Sequence, residues 1–173
     1  MKKESRIKLE HAELFYKFSL AVSNSISFGI SDLDLTYYEQ FSFLGHIVNK
    51  KDLELTKSQE RIGARMLESI GTYMIALQLN KVLEDEWREK RLQSRDKDVQ
   101  SISQVVRLIR NAFAHDPLDP IWDISPSAKD KEFEIPGILT LKTHDLHGKR
   151  LDRRHYGGPL ALLRLTQHLK KIL

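Results

Sequence analysis

Hydrophobic residues recur every three or four positions over most of the chain, which is the period of an amphipathic α-helix. The first such stretch begins near Ile7 and ends between Ser23 and Gly29. His11 lies in the hydrophobic register of this helix, which indicates a partly buried structural histidine. The stripe predicted to face the core consists of Ile7, Leu14, Phe15, Phe18, Ala21 and Val22.

Two more helices follow from the same period. A second helix, capped by Asp34 or Thr36, is predicted to direct inward Tyr38, Phe41, Leu44, Ile47 and Val48. A third helix, capped by Thr56 or Ser58, has hydrophobic positions at Ile62, Met66, Ile70, Tyr73, Met74 and Leu77. Gly63 and Gly71 lie inside it, each at a cost of about 1 kcal/mol relative to alanine. Either a neighbouring backbone approaches closely at these glycines or they are simply tolerated.

Charge replaces the hydrophobic stripe over residues 81–98. Both signs are mixed there, which favours a solvated helix extension or linker over a nucleic-acid patch. The helical period returns over residues 99–115, and Pro117 and Pro120 predict that this fourth helix ends at about His115. Its predicted buried positions are Ile102, Val105, Val106, Ile109, Ala112 and Phe113.

The last part of the chain changes character. Over residues 116–157 hydrophobic and polar residues alternate, which predicts an inserted loop with a small β-hairpin. Gly157, Gly158 and Pro159 then begin a final helix. We therefore predict a mostly α protein, an up-and-down bundle of four to five helices with a small β-hairpin inserted before the C-terminal helix. Residues 1–173 form a single domain in this interpretation.

The composition is that of a globular domain, with 40% hydrophobic and 30% charged residues in a chain of 173. The net charge of +4 favours encounter with polyanions. The absence of cysteine excludes disulfides, thiolate metal sites and a thiol nucleophile. Neither a secretory signal nor a bilayer-spanning run is recognisable, so we expect a cytoplasmic protein without membrane association.

A polar face is predicted at the end of the fourth helix, opposite its hydrophobic stripe. Arg110 and His115 diverge on it by about 140° if the helix is ideal. They converge only if the last turn loosens or if a two-fold partner presents a second copy of the face. Ser103 and Ala114 are small enough to admit a partner helix. At 100° per residue the face comprises Arg107, Arg110, Asn111, Ala114 and His115.

The residue types of this face suit phosphate chemistry. The carbonyl end of a helix and the adjacent Asp116 favour a cationic His115, which can act as both base and acid. Arg110 offers a planar fork for phosphate oxygens and for a five-coordinate phosphorus. Asn111 can orient either neighbour, and Arg107 can add a phosphate contact. The competing interpretation is a helix C-terminal cap, in which Arg110 and His115 bond the last carbonyls.

Three further histidines are candidate metal ligands. His144, His147 and His155 lie on or near the predicted hairpin, without a cysteine to assist. We interpret them as polar turn residues, and we predict neither a metal nor another cofactor.

The segment Arg110-Asn111-Ala112-Phe113-Ala114-His115 resembles the signature of the HEPN superfamily. That signature is an arginine and a histidine separated by four to six residues at the end of a helix, often with a polar residue after the arginine. Asn111 occupies the polar position. Residues 109–117, and the later His155-Tyr156-Gly157-Gly158, are similar to uncharacterised bacterial members.

The resemblance implies a helical homodimer with its two motifs facing each other. It also implies a metal-independent endoribonuclease of toxin, antiviral or RNA-processing systems, with Arg110, His115 and Asn111 as site residues. The histidine would act on the ribose 2′-hydroxyl and the arginine on the attacked phosphate, leaving a 2′,3′-cyclic phosphate. Other HEPN proteins are non-catalytic dimerisation or nucleotide-binding modules. The expected ligand is thus RNA or a nucleotide, and the expected partner an antitoxin or a nucleotidyltransferase.

Overall fold

The computed structural model describes residues 1–29, 40–93 and 97–173, and these are mostly helical. The helices of this part are α1 (Lys3–Ser27), α2 (Lys57–Gln93), α3 (Lys97–Ala112) and α4 (Pro159–Ile172). Strands β1 (Gln40–Phe43) and β2 (His46–Asn49) form one antiparallel hairpin, and β3 (Glu132–Ile135) and β4 (Leu139–Lys142) form another. The predicted α-helical architecture with a small hairpin before the C-terminal helix is confirmed.

The long helix α2 is the centre of the packing, because α1, α3 and α4 all contact it. A single hydrophobic core unites the helices with the segment after α3, and its largest fully buried side chains include Trp122, Tyr16, Tyr156 and Phe113. Lys170 of α4 donates to Glu13 of α1 at 2.6 Å, which joins the two ends of the chain. No helix in the described ranges has the length and hydropathy needed to cross a bilayer.

The predicted inward face of α1 is wrong. Ile7, Leu14 and Phe18 are 42%, 67% and 59% exposed, and His11 is exposed as well. The helix instead buries Leu9, Ala12, Tyr16, Leu20 and Ile26, interspersed with serines and Glu13. Because polar residues share the buried face and hydrophobic residues share the exposed one, the hydrophobic period alone cannot identify which face packs against α2.

The predicted second helix is wrong over residues 40–49, which form the β1–β2 hairpin. Its turn is Leu44-Gly45, with φ values of 48° and 82°. Two consecutive positive φ angles are typical of a two-residue hairpin turn, and glycine adopts them without strain. Leu44 and Ile47, expected inside, are 86% and 67% exposed. The other predicted positions, Asp34, Thr36 and Tyr38, lie outside the described residues.

Helix α2 begins as predicted, because Thr56 caps it. The Thr56 amide donates to Gln59 Oε1 at 2.8 Å, and the Gln59 amide donates back to Thr56 Oγ1 at 3.3 Å. The helix continues through the charged stretch to Gln93, which confirms the predicted helix extension. Trp87 anchors this extension in the core at 5% exposure.

The two glycines of α2 differ. A Cβ atom at Gly71 would lie 2.9 Å from the Cβ of Ser19 on α1, whereas one at Gly63 would meet nothing within 4 Å. Close approach of a neighbouring helix therefore explains Gly71, and Gly63 is simply tolerated.

Candidate functional site

Helix α3 ends at Ala112, earlier than the predicted end at His115. Three backbone bonds close it: Phe113 N to Arg110 O at 3.2 Å, Ala114 N to Asn111 O at 2.9 Å and Ile121 N to Ala112 O at 3.0 Å. The last of these comes from the chain returning after Pro117. Because His115 lies beyond the helix, the ideal-helix divergence from Arg110 does not apply to it.

The same bonds bear on the capping interpretation. The carbonyls of Arg110, Asn111 and Ala112 accept from backbone amides, so they need no side-chain donor. The Arg110 guanidinium instead donates through Nη1 to Oδ1 of the neighbouring Asn111 at 2.9 Å. His115 is exposed and forms no hydrogen bond or ion pair with any other described residue. Neither side chain acts as a hydrogen-bonding cap.

Arg107, Arg110 and Asn111 share one edge of α3. Successive residues of a helix are rotated by about 100°, so Arg110 and Asn111 lie roughly 60° and 40° from Arg107, on either side of it. All three side chains are half-buried. Arg107 is held by a bond from Nη2 to Gln104 Oε1 at 2.7 Å. The helix thus supplies two positioned guanidinium groups and one amide.

The loop after His115 is fixed by Asp116. Its Oδ1 accepts from the amides of Leu118 and Asp119 at 2.8 and 3.2 Å, which forms a turn around Pro117. The Asp116 carboxylate is therefore hydrogen-bonded to the loop backbone beyond the helix. Leu118 and Ile121 are 45% and 49% exposed, so His115 is followed by hydrophobic surface.

Ser103, expected on the exposed face, is only 7% exposed. Helix α3 is covered on two sides, by α2 and by β3, whereas the prediction assumed one covered side. Because Ser103 is already covered, it is not available to a partner helix. Ala114 is exposed and remains compatible with one.

Between α3 and the β3–β4 hairpin lies a cavity of about 700 Å³, which we call the hairpin groove. Its walls include Ser103 and Arg107 from α3 and Ser127, Lys131 and Phe133 from the inserted segment. Lys131 and Ser127 could not be identified from the sequence, because their proximity to α3 depends on how the hairpin folds back.

A second cleft, of about 480 Å³, lies between α2 and residues 150–153. Beneath it, Glu68 of α2 is buried, accepts from Ser23 Oγ at 2.6 Å and forms an ion pair with Arg153. Burial raises the pKa of the nearby Tyr16 to about 12. Phe113 lines this cleft, and the ion pair connects residues 150–153 of the inserted segment to α2.

The three histidines of the inserted segment have separate structural contacts. His144 Nδ1 lies 3.0 Å from Asp130 Oδ1, and His147 Nδ1 accepts from the Ile124 amide at 3.1 Å. His155 Nδ1 accepts from Trp122 Nε1 at 2.9 Å. Within residues 1–29, 40–93 and 97–173, no group of three or more histidines and carboxylates is arranged to hold a metal ion.

Comparisons with protein-family models, with curated proteins and with solved structures gave no match for this chain. The HEPN resemblance therefore stays a prediction based on the residues from Arg110 to His115.

Proposed function

We propose that this protein is a metal-independent HEPN-type endoribonuclease that cleaves RNA to 2′,3′-cyclic phosphate ends. The observation that supports it most is that neither Arg110 nor His115 is used as a hydrogen-bonding cap, since backbone amides already occupy the carbonyls at the end of α3. An arginine paired to Asn111 and an exposed histidine shortly after it remain available to a ligand. The net charge of +4 is consistent with a polyanionic substrate.

Each residue has a role in the proposed reaction. His115 takes the proton of a ribose 2′-hydroxyl, and O2′ attacks the adjacent phosphorus as the P–O5′ bond breaks. Arg110 stabilises the charge that builds up on the non-bridging phosphate oxygens, and Asn111 holds its guanidinium in place. A proton from a second histidine goes to the departing O5′. Arg107, one turn earlier, contacts a neighbouring phosphate.

The second histidine requires a second copy of the chain. A two-fold axis near the end of α3 would bring two Arg110 and two His115 side chains into one cleft. The exposed Ala114, Leu118 and Ile121 give this region small and hydrophobic contact surface. We propose that the protein is a homodimer at this face.

Incubation of the protein with single-stranded RNA in EDTA tests the activity. We expect fragments with 2′,3′-cyclic phosphate ends, detected by mass spectrometry. His115→Ala and Arg110→Ala should each lower the rate by at least about 100-fold, the typical contribution of a general acid or base and of a charge-stabilising donor, respectively. His144→Ala, which removes an exposed histidine from the turn after β4, is the matched control. Absence of cyclic ends, or full activity in His115→Ala, would refute the proposal.

A second candidate function is a non-catalytic module that pairs with itself, with a nucleotidyltransferase or with an antitoxin. The observation that favours it is the exposed hydrophobic stripe of α1, formed by Ile7, Leu14 and Phe18. Leu14→Glu should then abolish association, measured by analytical ultracentrifugation, while no RNA cleavage is found. Robust cleavage that Arg110→Ala abolishes would exclude a purely non-catalytic role.

A further inference from the structure

The hairpin groove contains two buried polar atoms of α3 without a hydrogen-bond partner in the described part of the chain. They are Ser103 Oγ and Arg107 Nε. Ser103 is 7% exposed, and both residues line the groove. Buried polar groups are nearly always hydrogen-bonded, so two unpaired donors on a single cavity wall are positions where an acceptor from a ligand or from water would be stabilised.

The charges around the groove favour an anion. Lys97 and Lys131 stand with Arg107 on its walls. Two acidic residues also line the groove and have partners: Glu132 Oε2 lies 3.2 Å from Lys142 Nζ, and Glu84 Oε1 accepts from Asn80 at 2.8 Å. With three cationic and two acidic side chains the lining has a net positive charge, and a phosphate supplies both a negative charge and hydrogen-bond acceptors.

The groove lies beside the part of α3 that precedes the motif, and neither Arg110 nor Asn111 lines it. Arg107 lines it and lies on the same edge of α3 as Arg110 and Asn111. At about 1.5 Å per residue, Ser103 and Asn111 are about 12 Å apart along the helix, the span of a few nucleotides. Phe133, half-buried against the hydrophobic core, also lines the opposite wall, and cations with aromatic side chains are the usual composition of single-strand sites.

We propose that the hairpin groove binds single-stranded RNA on one side of the scissile phosphate. The β3–β4 hairpin is its outer wall and Lys131 its outer phosphate contact. Ser103 and Arg107 donate to the strand from the helix. This inference rests on the proposed ribonuclease function, and it assigns to the inserted hairpin the positioning of substrate.

Fluorescence anisotropy with a fluorescein-labelled 2′-O-methyl RNA tests binding apart from cleavage, because this RNA lacks the attacking hydroxyl. Lys131→Gln should weaken binding and reduce the slope of log affinity against log salt by about 0.7, the value for one phosphate contact on a single strand. Ser103→Ala should weaken binding roughly 2- to 10-fold, the effect of one hydrogen bond, with an unchanged slope. Thermal melting of each variant verifies that it is folded.

Lys149→Gln is the matched control. It removes the same charge from the same inserted segment, but its exposed side chain lies outside the groove. Its affinity should change less than about twofold, since distant exposed charges are screened. Wild-type affinity in both groove variants, or equal weakening by Lys149→Gln and Lys131→Gln, would overturn the groove assignment.

The two proposals fail separately. If Arg110→Ala abolishes cleavage while the groove variants bind RNA normally, the ribonuclease proposal survives and the groove assignment is wrong. If the groove variants weaken RNA binding but the wild-type protein cleaves no RNA, the groove is an RNA site on a non-catalytic protein. No binding of the labelled RNA by the wild-type chain would reject the groove assignment outright.

Discussion

Ser103 and Ser23 are both buried serines, but their hydroxyls are in opposite situations. Ser23 Oγ donates to the carboxylate of Glu68 at 2.6 Å, whereas Ser103 Oγ has no partner in the described residues. An unpaired buried hydroxyl costs stability, and a bond to a charged group adds it. A residue kept at a cost to folding is typical of a functional site.

Replacement of each serine by alanine therefore has opposite effects on folding. Ser103→Ala should leave the free energy of unfolding unchanged or raise it by up to about 1 kcal/mol. Ser23→Ala should lower it by about 2 kcal/mol, because it leaves Glu68 without this donor. Urea denaturation of both variants measures the difference. A clear loss of stability in Ser103→Ala would show that its hydroxyl has a structural role.

Asp152 gives a residue-scale prediction of pH dependence. The side chain of Arg154, and then its backbone amide, donate to this carboxylate and lower its pKa to about 2 from the usual 3.8. A lowered pKa in the folded state stabilises the protein above about pH 4, and this contribution is lost as the pH falls through 2. The Asp152 carboxylate caps the short helical turn Arg153–Tyr156. This turn contains Arg153, which forms an ion pair with Glu68.

Asp152→Asn should thus be less stable than the wild type at pH 7, and most of this deficit should be gone near pH 2. The loss at pH 7 should be small, because the Asp152 side chain is 36% exposed and its partner Arg154 is 89% exposed. Urea denaturation at both pH values measures it, with Asp85→Asn on the exposed side of α2 as the control for removal of one carboxylate. A deficit that persists at pH 2 would indicate lost packing or hydrogen bonding instead of lost charge.

At the scale of the elements, the two glycines of α2 form a matched pair. Gly63→Ala should raise the free energy of unfolding by roughly 0.5–1 kcal/mol, since alanine favours a helix and its methyl group meets open space. Gly71→Ala should lower it by about 1–3 kcal/mol, because Ser19 on α1 occupies the required volume. Thermal or urea denaturation measures both. Equal effects at the two positions would mean that α1 and α2 approach less closely there.

All four helices could be predicted from their hydrophobic period, and two of them also have local signals at their starts. Thr56 with Gln59 marks the start of α2, and Gly158 with Pro159 marks the start of α4. The β1–β2 hairpin could not, because Phe41, Leu44 and Val48 also fit a helical spacing and only Gly45 indicates the turn. The early end of α3 depends on the Ile121 amide reaching Ala112, a contact that no local pattern encodes.

The candidate site, too, could be predicted only in part from the sequence. Residue types and spacing identified Arg107, Arg110, Asn111 and His115. They could not indicate that Ser103 faces a groove, because its burial depends on the inserted hairpin folding back onto α3. For the same reason Lys131 gave no signal in the sequence.

At the scale of the whole molecule, the inserted segment packs along α3 and also reaches its end. The β3–β4 hairpin forms the groove on one side, and residues 150–153 are fixed to α2 by the Glu68–Arg153 ion pair on the other. His115 lies on the loop after α3, close in sequence to the exposed Leu118 and Ile121. A single chain thus presents two positioned guanidinium groups and one histidine, and the proposed reaction requires an acid in addition to a base.

If two copies complete the site, the activity must depend on protein concentration. The specific activity per chain should fall on dilution in step with the fraction of dimer, because a monomer has only one of the two histidines. Mass photometry or analytical ultracentrifugation gives the dimer fraction, and the rate of cyclic-phosphate formation gives the activity. Leu118→Glu should shift both curves to higher concentration by placing a charge in the contact, whereas Leu14→Glu on α1 should shift neither. Constant specific activity through the range in which dimers dissociate would show that one chain is sufficient for catalysis.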